Sequence, residues 1–379
     1  ASEITGVSSA IIEQLARDYA TNELAPKMAE IDDAHSHPWE IFKKLGELGF
    51  YGIFLPEDVG GIGLDFLAYA VAVEEIATGC FNSALMMGVH TMATSAVHTW
   101  GSKNLSQKYV PKCVAGDKLI SFALSEPDYG SDAAGIKTYA KKKDGGYILN
   151  GTKSWITFGS DADYVLVMAT VNPELKSKGI SAFVVEKGWD GLSFGEPEKK
   201  MGGNGLLLSQ VILDDVFVPD ENLVGEEGIG LKIALASLDG GRIGIAANAT
   251  GVMRRAMDES LKYAKNRIQF GKEIINYQSI QFKFADMAAK IEAASLLYKQ
   301  AAWLKGKGLE CTKEASIAKM MATDYANEVC SEAVQIMGAY GYMSDYPVER
   351  LFRYIKCTQI FEGTNEIQRL VISRQLTKD

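Results

Sequence analysis

The spacing of apolar residues changes twice along this chain, and that change constrains the fold more than any other feature of the sequence. In the last third, apolar side chains recur in alternating steps of four and three residues: Ile280, Phe284, Met287, Ile291, Ala294 and Tyr298. This seven-residue repeat is typical of long helices packed in a bundle. In the middle of the chain, short apolar runs at 164–168, 180–185 and 211–213 predict β-strands instead, because turn residues separate them.

The order of these patterns predicts three domains in a chain of 379 residues, which is too long for one simple core. We expect an N-terminal α-helical domain over residues 1–118, a central β-domain over residues 119–226 and a helical bundle over residues 227–379. The predicted strands have no long helix between them, so an antiparallel barrel or sandwich is favoured over βαβ units. The very apolar stretch from Phe66 to Met87 should form buried helices.

The composition argues against several classes of function. The formal net charge of −9 disfavours nucleic acid or an anionic membrane surface as the main partner. No apolar run is long enough to span a bilayer, and five widely spaced cysteines with four histidines predict no metal site. The chain also lacks the glycine pattern of a Rossmann nucleotide site, a Walker loop and a Gly-x-Ser-x-Gly elbow.

Two segments of the central region carry residues suited to a ligand. Residues 122–132 combine hydroxyls, glycine and acids after a strand, so Ser131 and backbone N–H groups can meet a polar ligand. The second segment begins with Asn150-Gly151, which predicts a tight turn, and continues to Trp155. A tryptophan beside a hydroxyl suits the edge of a flat aromatic cofactor. The structural alternatives are a turn that caps itself and a core tryptophan.

Two further segments lie in the C-terminal helical region. Arg267 stands near the expected end of a helix, where it either binds a pyrophosphate or pairs with the helix dipole. Glu362 sits among apolar neighbours and precedes Gly363. An apolar setting would raise the pKa of this carboxyl and strengthen it as a base, and glycine permits close approach of a ligand. The alternative is that Thr364 and Asn365 start the final helix and leave Glu362 solvated.

Together these ordered segments resemble the acyl-CoA dehydrogenase family over essentially the whole chain, from Pro56-Glu57 and Gly60-Gly61 to Arg374. The resemblance implies an α+β multidomain fold in which an N-terminal helical domain, a central antiparallel β-domain and a C-terminal four-helix bundle follow one another. It implies FAD as the cofactor, bound between the β-domain and the bundle. It also implies a homotetramer arranged as a dimer of dimers, or in some members a dimer.

The resemblance assigns ligand-binding roles to several groups of residues. Those expected around the flavin are Phe122, Leu124, Ser125, Gly130, Ser131, Trp155, Ile156 and Thr157. Those expected to bind FAD across a subunit boundary are Arg267, Phe270, Gln278, Gln335 and Gly338. Those expected at its phosphate or adenosine part, where a helix start suits anions, are Thr364, Asn365 and Glu366. Expected substrate contacts are Ser131, Asp239, Arg242 and Gly363.

The resemblance also implies the chemistry. Glu362 would remove the α-proton of an acyl-CoA thioester while the β-hydride passes to the flavin, which carries the redox step. The backbone N–H of Glu362 and a ribityl hydroxyl of the flavin would polarise the thioester carbonyl. Some members place the base directly before the arginine that matches Arg242. That position is Gly241 here and cannot act as a base.

The expected partners are an acyl-CoA substrate and an electron-transfer flavoprotein, in the bacterial cytoplasm or in the mitochondrial matrix after removal of a transit peptide. Segment 238–244 is similar to that of butyryl-type members and predicts a short or modestly branched acyl group. The residues expected near that group are Met86, Met87, His90, Thr94, Tyr340 and Phe361.

Several alternatives stay open. The chain could be an oxidase that uses oxygen, an enoyl-CoA reductase, a dehydrogenase of a carrier-protein-bound group, or a scaffold without activity. The run Leu206-Leu207-Leu208 stands where most members carry hydroxyl residues, which leaves an aromatic or cyclic acyl group open as well.

Overall fold

The computed structural model describes residues 8–377. The N-terminal helices, joined by short 3₁₀ and π segments, are α1 Ser9–Tyr19, α2 Met28–Asp33, α3 Trp39–Glu47, α4 Phe66–Gly79, α5 Phe81–Trp100 and α6 Lys103–Val114. Ser8, Asp65 and Ser102 cap α1, α4 and α6, because each side chain accepts a hydrogen bond from a backbone N–H of the first turn. Helices α4 and α5 are buried on nearly all sides, as their apolar sequence predicted.

The central region forms one eight-stranded sheet. Its strands are β1 Ile120–Ala123, β2 Tyr139–Lys143, β3 Gly146–Thr157, β4 Tyr164–Thr170, β5 Ile180–Glu186, β6 Leu192–Phe194, β7 Leu208–Pro219 and β8 Leu223–Val224. The order along the sheet is β6-β7-β3-β2-β4-β5-β8, and β1 pairs with β4. The long pairings of β3 with β7 and of β4 with β5 are antiparallel, whereas β1 runs parallel to β4. The predicted β-domain between two helical regions is confirmed.

The tight turn predicted at Asn150-Gly151 is wrong, because this pair lies inside β3. The pairing of β3 with β7 shifts its register there, and the extra residue lies on β7 opposite this pair, where Asp215 has a φ of 55°. Gly151 has a φ of 147°, and a Cβ at this position would lie 2.5 Å from the Oγ1 of Thr138. The Asn150 side chain pairs with Asp215 on β7, so it fastens the two strands instead of reversing the chain.

From Gly230 onward the chain is mainly helical. The helices are α7 Gly230–Asn266, α8 Gln278–Gly306, α9 Thr312–Met337, α10 Ala339–Tyr342, α11 Pro347–Ile355 and α12 Asn365–Leu376, with a hairpin of β9 Ile268–Gln269 and β10 Lys272–Glu273 after α7. Helix α7 packs against α8 and α9 and also against α4 and α5 of the N-terminal domain. It therefore joins the two helical regions, and the predicted bundle of long helices is confirmed. Within residues 8–377, every helix is too short or too polar to cross a bilayer.

Candidate active site

A cavity of about 350 Å³ lies between α4 and α5 of the N-terminal domain and the first half of α7. One face of α5 lines it at helical spacing, through Gly88, Thr91, Ser95 and Thr99. Helix α7 contributes the bare backbone of Gly240 and Gly241. The other walls carry aromatic rings and one ammonium group: Phe54, Phe66, Tyr69, Trp100 and Lys305. The cavity thus has an apolar body with scattered hydroxyls.

The residues expected near an acyl group do not line this cavity. Met86, Met87, His90 and Thr94 belong to α5 but are fully buried off the stripe that faces the cavity. An almost entirely apolar helix does not reveal from its sequence which face meets a cavity. Tyr340 and Phe361 also lie outside the cavity lining.

The carboxylate of Glu362 lies against Gly241, which lines the cavity, although Glu362 is not itself a lining residue. A Cβ placed on Gly241 would lie 2.1 Å from Oε2 and 2.9 Å from Oε1 of Glu362. The Glu362 backbone has a φ of 53°, a left-handed conformation that persists only where the surroundings hold it. Its Oε2 is buried without a hydrogen-bond partner. Thr364 does cap the final helix, as the alternative predicted, but Glu362 is turned inward rather than solvated.

Burial raises the pKa of Glu362 to about 7, and the positive charges of Arg242 and Lys319 oppose this rise. A carboxyl with such a pKa exchanges protons near neutral pH and suits general base catalysis. Burial, reinforced by Glu362, raises the pKa of Tyr69 above its ordinary value, so the neighbouring hydroxyl stays protonated. Across residues 8–377, no three His, Cys, Asp or Glu side chains are grouped to hold a metal ion.

Asp239 and Arg242 lie on α7 beside the cavity-lining glycines. The Nη1 of Arg242 donates to Oδ1 of Asp239 at 2.8 Å, and Thr312 donates to the other oxygen at 2.6 Å. The Nε of Arg242 is buried without a partner. Gly363 follows the carboxylate with a φ of 86°, so two consecutive residues are left-handed at this turn.

The two ligand segments predicted in the β-domain lie side by side. The N–H of Ser154 donates to the carbonyl of Ser125 at 2.9 Å. Lys153, which is fully buried, donates to the carbonyl of Leu124 at 3.1 Å and to Glu126 at 2.8 Å. Glu126 also accepts two backbone N–H groups from the segment before β2. This buried pair fastens the loop after β1 to the bulged end of β3.

Trp155 is presented on this surface in a strained conformation. It has a φ of 55° and is 54% exposed, although Ser154 and Ile156 on either side are buried. The hydroxyl of Ser154 is buried without a partner. Leu124 is buried and Phe122 and Ser125 are half-buried. The remaining predicted residues nearby are half-buried or exposed: Thr157, Gly130 and Ser131. The surface offers a flat aromatic ring and several hydroxyls to a planar ligand.

A separate group lies at one end of the helical bundle. Arg267 ends α7, as the sequence predicted, and its guanidinium lies 5.6 Å from the ring centre of Tyr340. Phe270 has a φ of 52° and is 95% exposed. The other predicted members are also exposed: Gln278, Gln335 and Gly338. Within residues 8–377, no hydrogen bond or ring contact joins this group to the surface around Trp155.

At the start of α12, Thr364 and Glu366 remain accessible, but the side chain of Asn365 does not. Asn365 is buried, and its amide donates to Thr323 at 2.9 Å and to Asp324 at 2.7 Å. Its Oδ1 accepts from Lys319 at 2.9 Å. Only the backbone of Asn365 can therefore meet a ligand.

Sequence reasoning missed Lys319, Lys153 and Tyr69. A signal for Lys319 does exist, because it falls in a stripe of small buried residues of α9 that includes Ala315 and Ala322. A lysine in such a stripe is rare unless it is partnered. Which groups partner it depends on tertiary contacts that the sequence does not display.

Comparison with known families agrees with this architecture. The family model for the acyl-CoA dehydrogenase N-terminal domain matches residues 9–117, that for the middle domain matches 121–216, and that for the C-terminal domain matches 228–377. The chain belongs to the acyl-CoA dehydrogenase family. The resemblance predicted from its motifs is therefore confirmed.

Among curated members of the family, an acyl-CoA dehydrogenase of Bacillus subtilis is 45% identical, over 97% of each chain. An acryloyl-CoA reductase (NADH) of Anaerotignum propionicum is 44% identical, over 97% of this chain and 94% of the relative.

Solved structures of family members superpose closely. The butyryl-CoA dehydrogenase of Megasphaera elsdenii has a TM-score of 0.96 at 41% identity, with 98% of each chain covered. A structure described as the electron transferring flavoprotein of Acidaminococcus fermentans contains a chain with a TM-score of 0.96 at 44% identity, again over 98% of each. PigA, described with FAD and proline, has a TM-score of 0.94 at 29% identity and 98% coverage of each chain.

Proposed function

We propose that this protein catalyses the FAD-dependent α,β-dehydrogenation of a short acyl-CoA thioester to the trans-2-enoyl-CoA, with Glu362 as the base for the α-proton. The observation that carries this proposal is the Glu362 carboxylate, which lies against the cavity-lining Gly241 with an oxygen that is buried and lacks a partner. The pKa of Glu362 near 7 suits a general base that accepts a proton at neutral pH.

The residues of the β-domain fit FAD. The half-exposed indole of Trp155 supplies a flat surface for a ring system, and Ser125, Ser131 and Thr157 are accessible enough for their hydroxyls to meet a ligand. Arg267 and the exposed Phe270 lie at the far end of the bundle, and we propose that they hold the FAD of a neighbouring subunit. When bound, FAD accepts the hydride that leaves the β-carbon of the substrate.

The chain's own groups prepare the substrate for this step. The backbone N–H of Glu362 donates to no other residue within 8–377, so it can polarise the thioester carbonyl. The ionised Glu362 carboxylate then takes the α-proton. The aromatic rings in the cavity lining limit the access of water once a substrate fills the space, which strengthens both interactions. Asp239 and Arg242 flank the cavity-lining glycines of α7, and Gly363 directly follows the base, so we assign these three residues contacts with the CoA part.

Tyr69 supports a short acyl group. Its hydroxyl lies 3.8 Å from the Cβ position of Gly244 and 4.0 Å from that of Gly88, so it closes the space between α7 and α5. Gly244 lies only about 4.5 Å beyond Gly241 along the helix axis. An acyl chain therefore has room for only a few carbons past the base. Phe54 and Phe66 hold the tyrosine ring in place, with ring centres 5.2 and 5.1 Å away.

We further propose an electron-transfer flavoprotein as the acceptor and a homotetramer as the working form. The structural neighbour described as an electron transferring flavoprotein supports the first point. The apolar side chains that α8 exposes support the second: Phe282, Leu296 and Trp303. Bacterial cytoplasm or mitochondrial matrix is the compartment we propose, as relatives with a mitochondrial name occur alongside bacterial ones.

The test is anaerobic bleaching of the bound flavin by butyryl-, isobutyryl- and 3-phenylpropionyl-CoA, followed by reoxidation with air or with electron-transfer flavoprotein. We expect rapid bleaching by butyryl-CoA and slow reoxidation in air. Rapid peroxide formation would assign the protein as an oxidase. Bleaching by the aromatic thioester alone would exclude the short-chain substrate.

The relative named acryloyl-CoA reductase (NADH) favours one second candidate, the reverse reaction on a short enoyl-CoA. In that case NADH, together with an electron-transfer flavoprotein, would drive reduction of acryloyl-CoA faster than butyryl-CoA is oxidised. Measuring both directions with the same enzyme preparation distinguishes the two.

A further inference from the structure

We propose that Lys319 is a positioning residue for the base: its ammonium holds the left-handed turn at Glu362 and Gly363 in place and thereby keeps the Glu362 carboxylate against Gly241. This inference rests on the proposed function of Glu362.

Lys319 is a fully buried lysine whose direct partners are neutral. Its Nζ donates to the carbonyl of Gly363 at 2.9 Å and to the Oδ1 of Asn365 at 2.9 Å. Burying an ammonium group is unfavourable unless its hydrogen bonds are satisfied. Here two of its three donors have acceptors, namely the carbonyl of Gly363, the residue after the base, and the side chain of Asn365, the first residue of α12. A change at Lys319 is therefore transmitted to the turn that carries Glu362.

The turn is held from two helices. Lys319 of α9 donates to the Gly363 carbonyl, and the Nε2 of Gln368 on α12 donates to the same carbonyl at 2.8 Å and to the carbonyl of Glu362 at 3.1 Å. Both residues of the turn have positive φ, which is costly for the glutamate. Of the two side chains that donate to the turn, Lys319 carries a charge and Gln368 is neutral. This difference makes the two contributions of Lys319 separable.

The charge of Lys319 acts on Glu362 across the turn. The groups that influence the Glu362 carboxyl are Arg242 of α7, Lys319 of α9 and the hydroxyl of Tyr69 on α4. Burial lowers the pKa of Lys319 to about 8, and Glu362 opposes that fall. The charged neighbours that also act on Lys319 are Arg242, Asp324 and Glu366. Lys319 is thus mainly protonated where Glu362 titrates, and it favours the ionised carboxylate.

The test compares Lys319→Met with Gln368→Met in the purified, FAD-loaded enzyme. The rate of flavin reduction by saturating butyryl-CoA is measured by stopped flow as a function of pH. Both variants loosen the turn, so we expect both to slow reduction by about tenfold to a hundredfold. Only Lys319→Met removes the charge, so only it should move the rising limb of the pH profile to higher pH. A role in folding alone would not move this limb.

Two results would overturn the inference. One is a wild-type rate and profile in Lys319→Met, and the other is an equal shift of the profile in Gln368→Met. If Lys319→Met fails to retain flavin, Lys319→Gln decides, because it keeps a donor without the charge. Its flavin should be reduced more slowly than that of the wild type, with the rising limb of the pH profile at higher pH, and an unshifted profile would refute the role of the charge. Failure of every acyl-CoA to reduce the wild-type flavin would instead refute the proposed function, and this inference with it.

Discussion

A single methyl group on Gly241 should disable this enzyme without destabilising it. The Cβ of Gly241→Ala would lie 2.1 Å from Oε2 and 2.7 Å from Cδ of Glu362. Ordinary van der Waals contact begins near 3.4 Å, so the carboxylate must retreat by about 1.3 Å. The atoms it meets are the far end of a flexible side chain, so the base moves rather than the helix.

The expected magnitude follows from this displacement. Misplacing a reacting group by about 1 Å costs on the order of a hundredfold in rate, so flavin reduction by butyryl-CoA should fall about a hundredfold. Alanine is favoured over glycine in a helix interior by about 0.5–1 kcal/mol, which offsets the residual strain of the displaced carboxylate. The free energy of unfolding should therefore stay unchanged or rise slightly.

The assay pairs stopped-flow flavin reduction with thermal unfolding of the FAD-loaded protein. Gly244→Ala is the matched control, since its Cβ meets only the Tyr69 hydroxyl at 3.8 Å and brings the same helix preference. It should reduce near the wild-type rate. The double variant Gly241→Ala with Glu362→Asp should recover part of the lost rate, because aspartate is one methylene shorter. A Gly241→Ala enzyme that reduces like the wild type would show that the carboxylate does not work from this position.

Further predictions concern the base, the cavity wall and the cofactor. Glu362→Gln should keep the fold and bound flavin but slow flavin reduction by about 10²–10⁴-fold, because an amide accepts no proton; a near wild-type rate would place the base elsewhere. In the wild type, this rate should rise with pH through about 7, because burial raises the pKa of Glu362 and the ionised form is the active one; a profile that is flat across neutral pH contradicts this. Tyr69→Ala should shift kcat/KM from butyryl-CoA toward hexanoyl- and octanoyl-CoA, whereas Tyr69→Phe should not, and an unaltered chain-length profile rules out the wall. Arg267→Ala should lower the flavin-to-protein ratio and loosen the proposed tetramer in sedimentation; a variant that stays fully flavinated and tetrameric on dilution refutes the shared site.

The order of the domains could be predicted because hydrophobic spacing reports local backbone geometry. The predicted strands at 164–168 and 180–185 correspond to Tyr164–Thr170 and Ile180–Glu186. The Asn150-Gly151 pair shows where this reasoning stops. Its sequence predicts unusual backbone angles, and Gly151 has them, but whether they reverse the chain or lie inside a strand opposite a bulge of β7 depends on the neighbouring strands.

In the candidate site too, the sequence predicted local features, whereas the tertiary contacts could not be predicted. The sequence left two alternatives for the role of Glu362: a buried base, or a solvated residue before a helix. The decision depended on Gly241, which is more than a hundred residues away along the chain. The boundaries proposed for the domains and the roles assigned to individual binding residues stay predictions. The cavity face of α5 could not be chosen in advance, because nearly every face of that helix is apolar and buried.

The run Leu206-Leu207-Leu208 stands where most family members carry hydroxyl residues, and its position in the fold indicates what this difference affects. Leu206 is buried in the core shared by the N-terminal helices and the bundle, and Lys200 donates to its carbonyl. Leu208 pairs with Thr157, the end of the strand proposed to carry the flavin. None of the three leucines lines the cavity beside Glu362. The loss of hydroxyls at 206–208 therefore bears on core packing and on the edge of the flavin site rather than on the acyl group. Tyr69 is therefore the residue that we propose to limit the length of the acyl group.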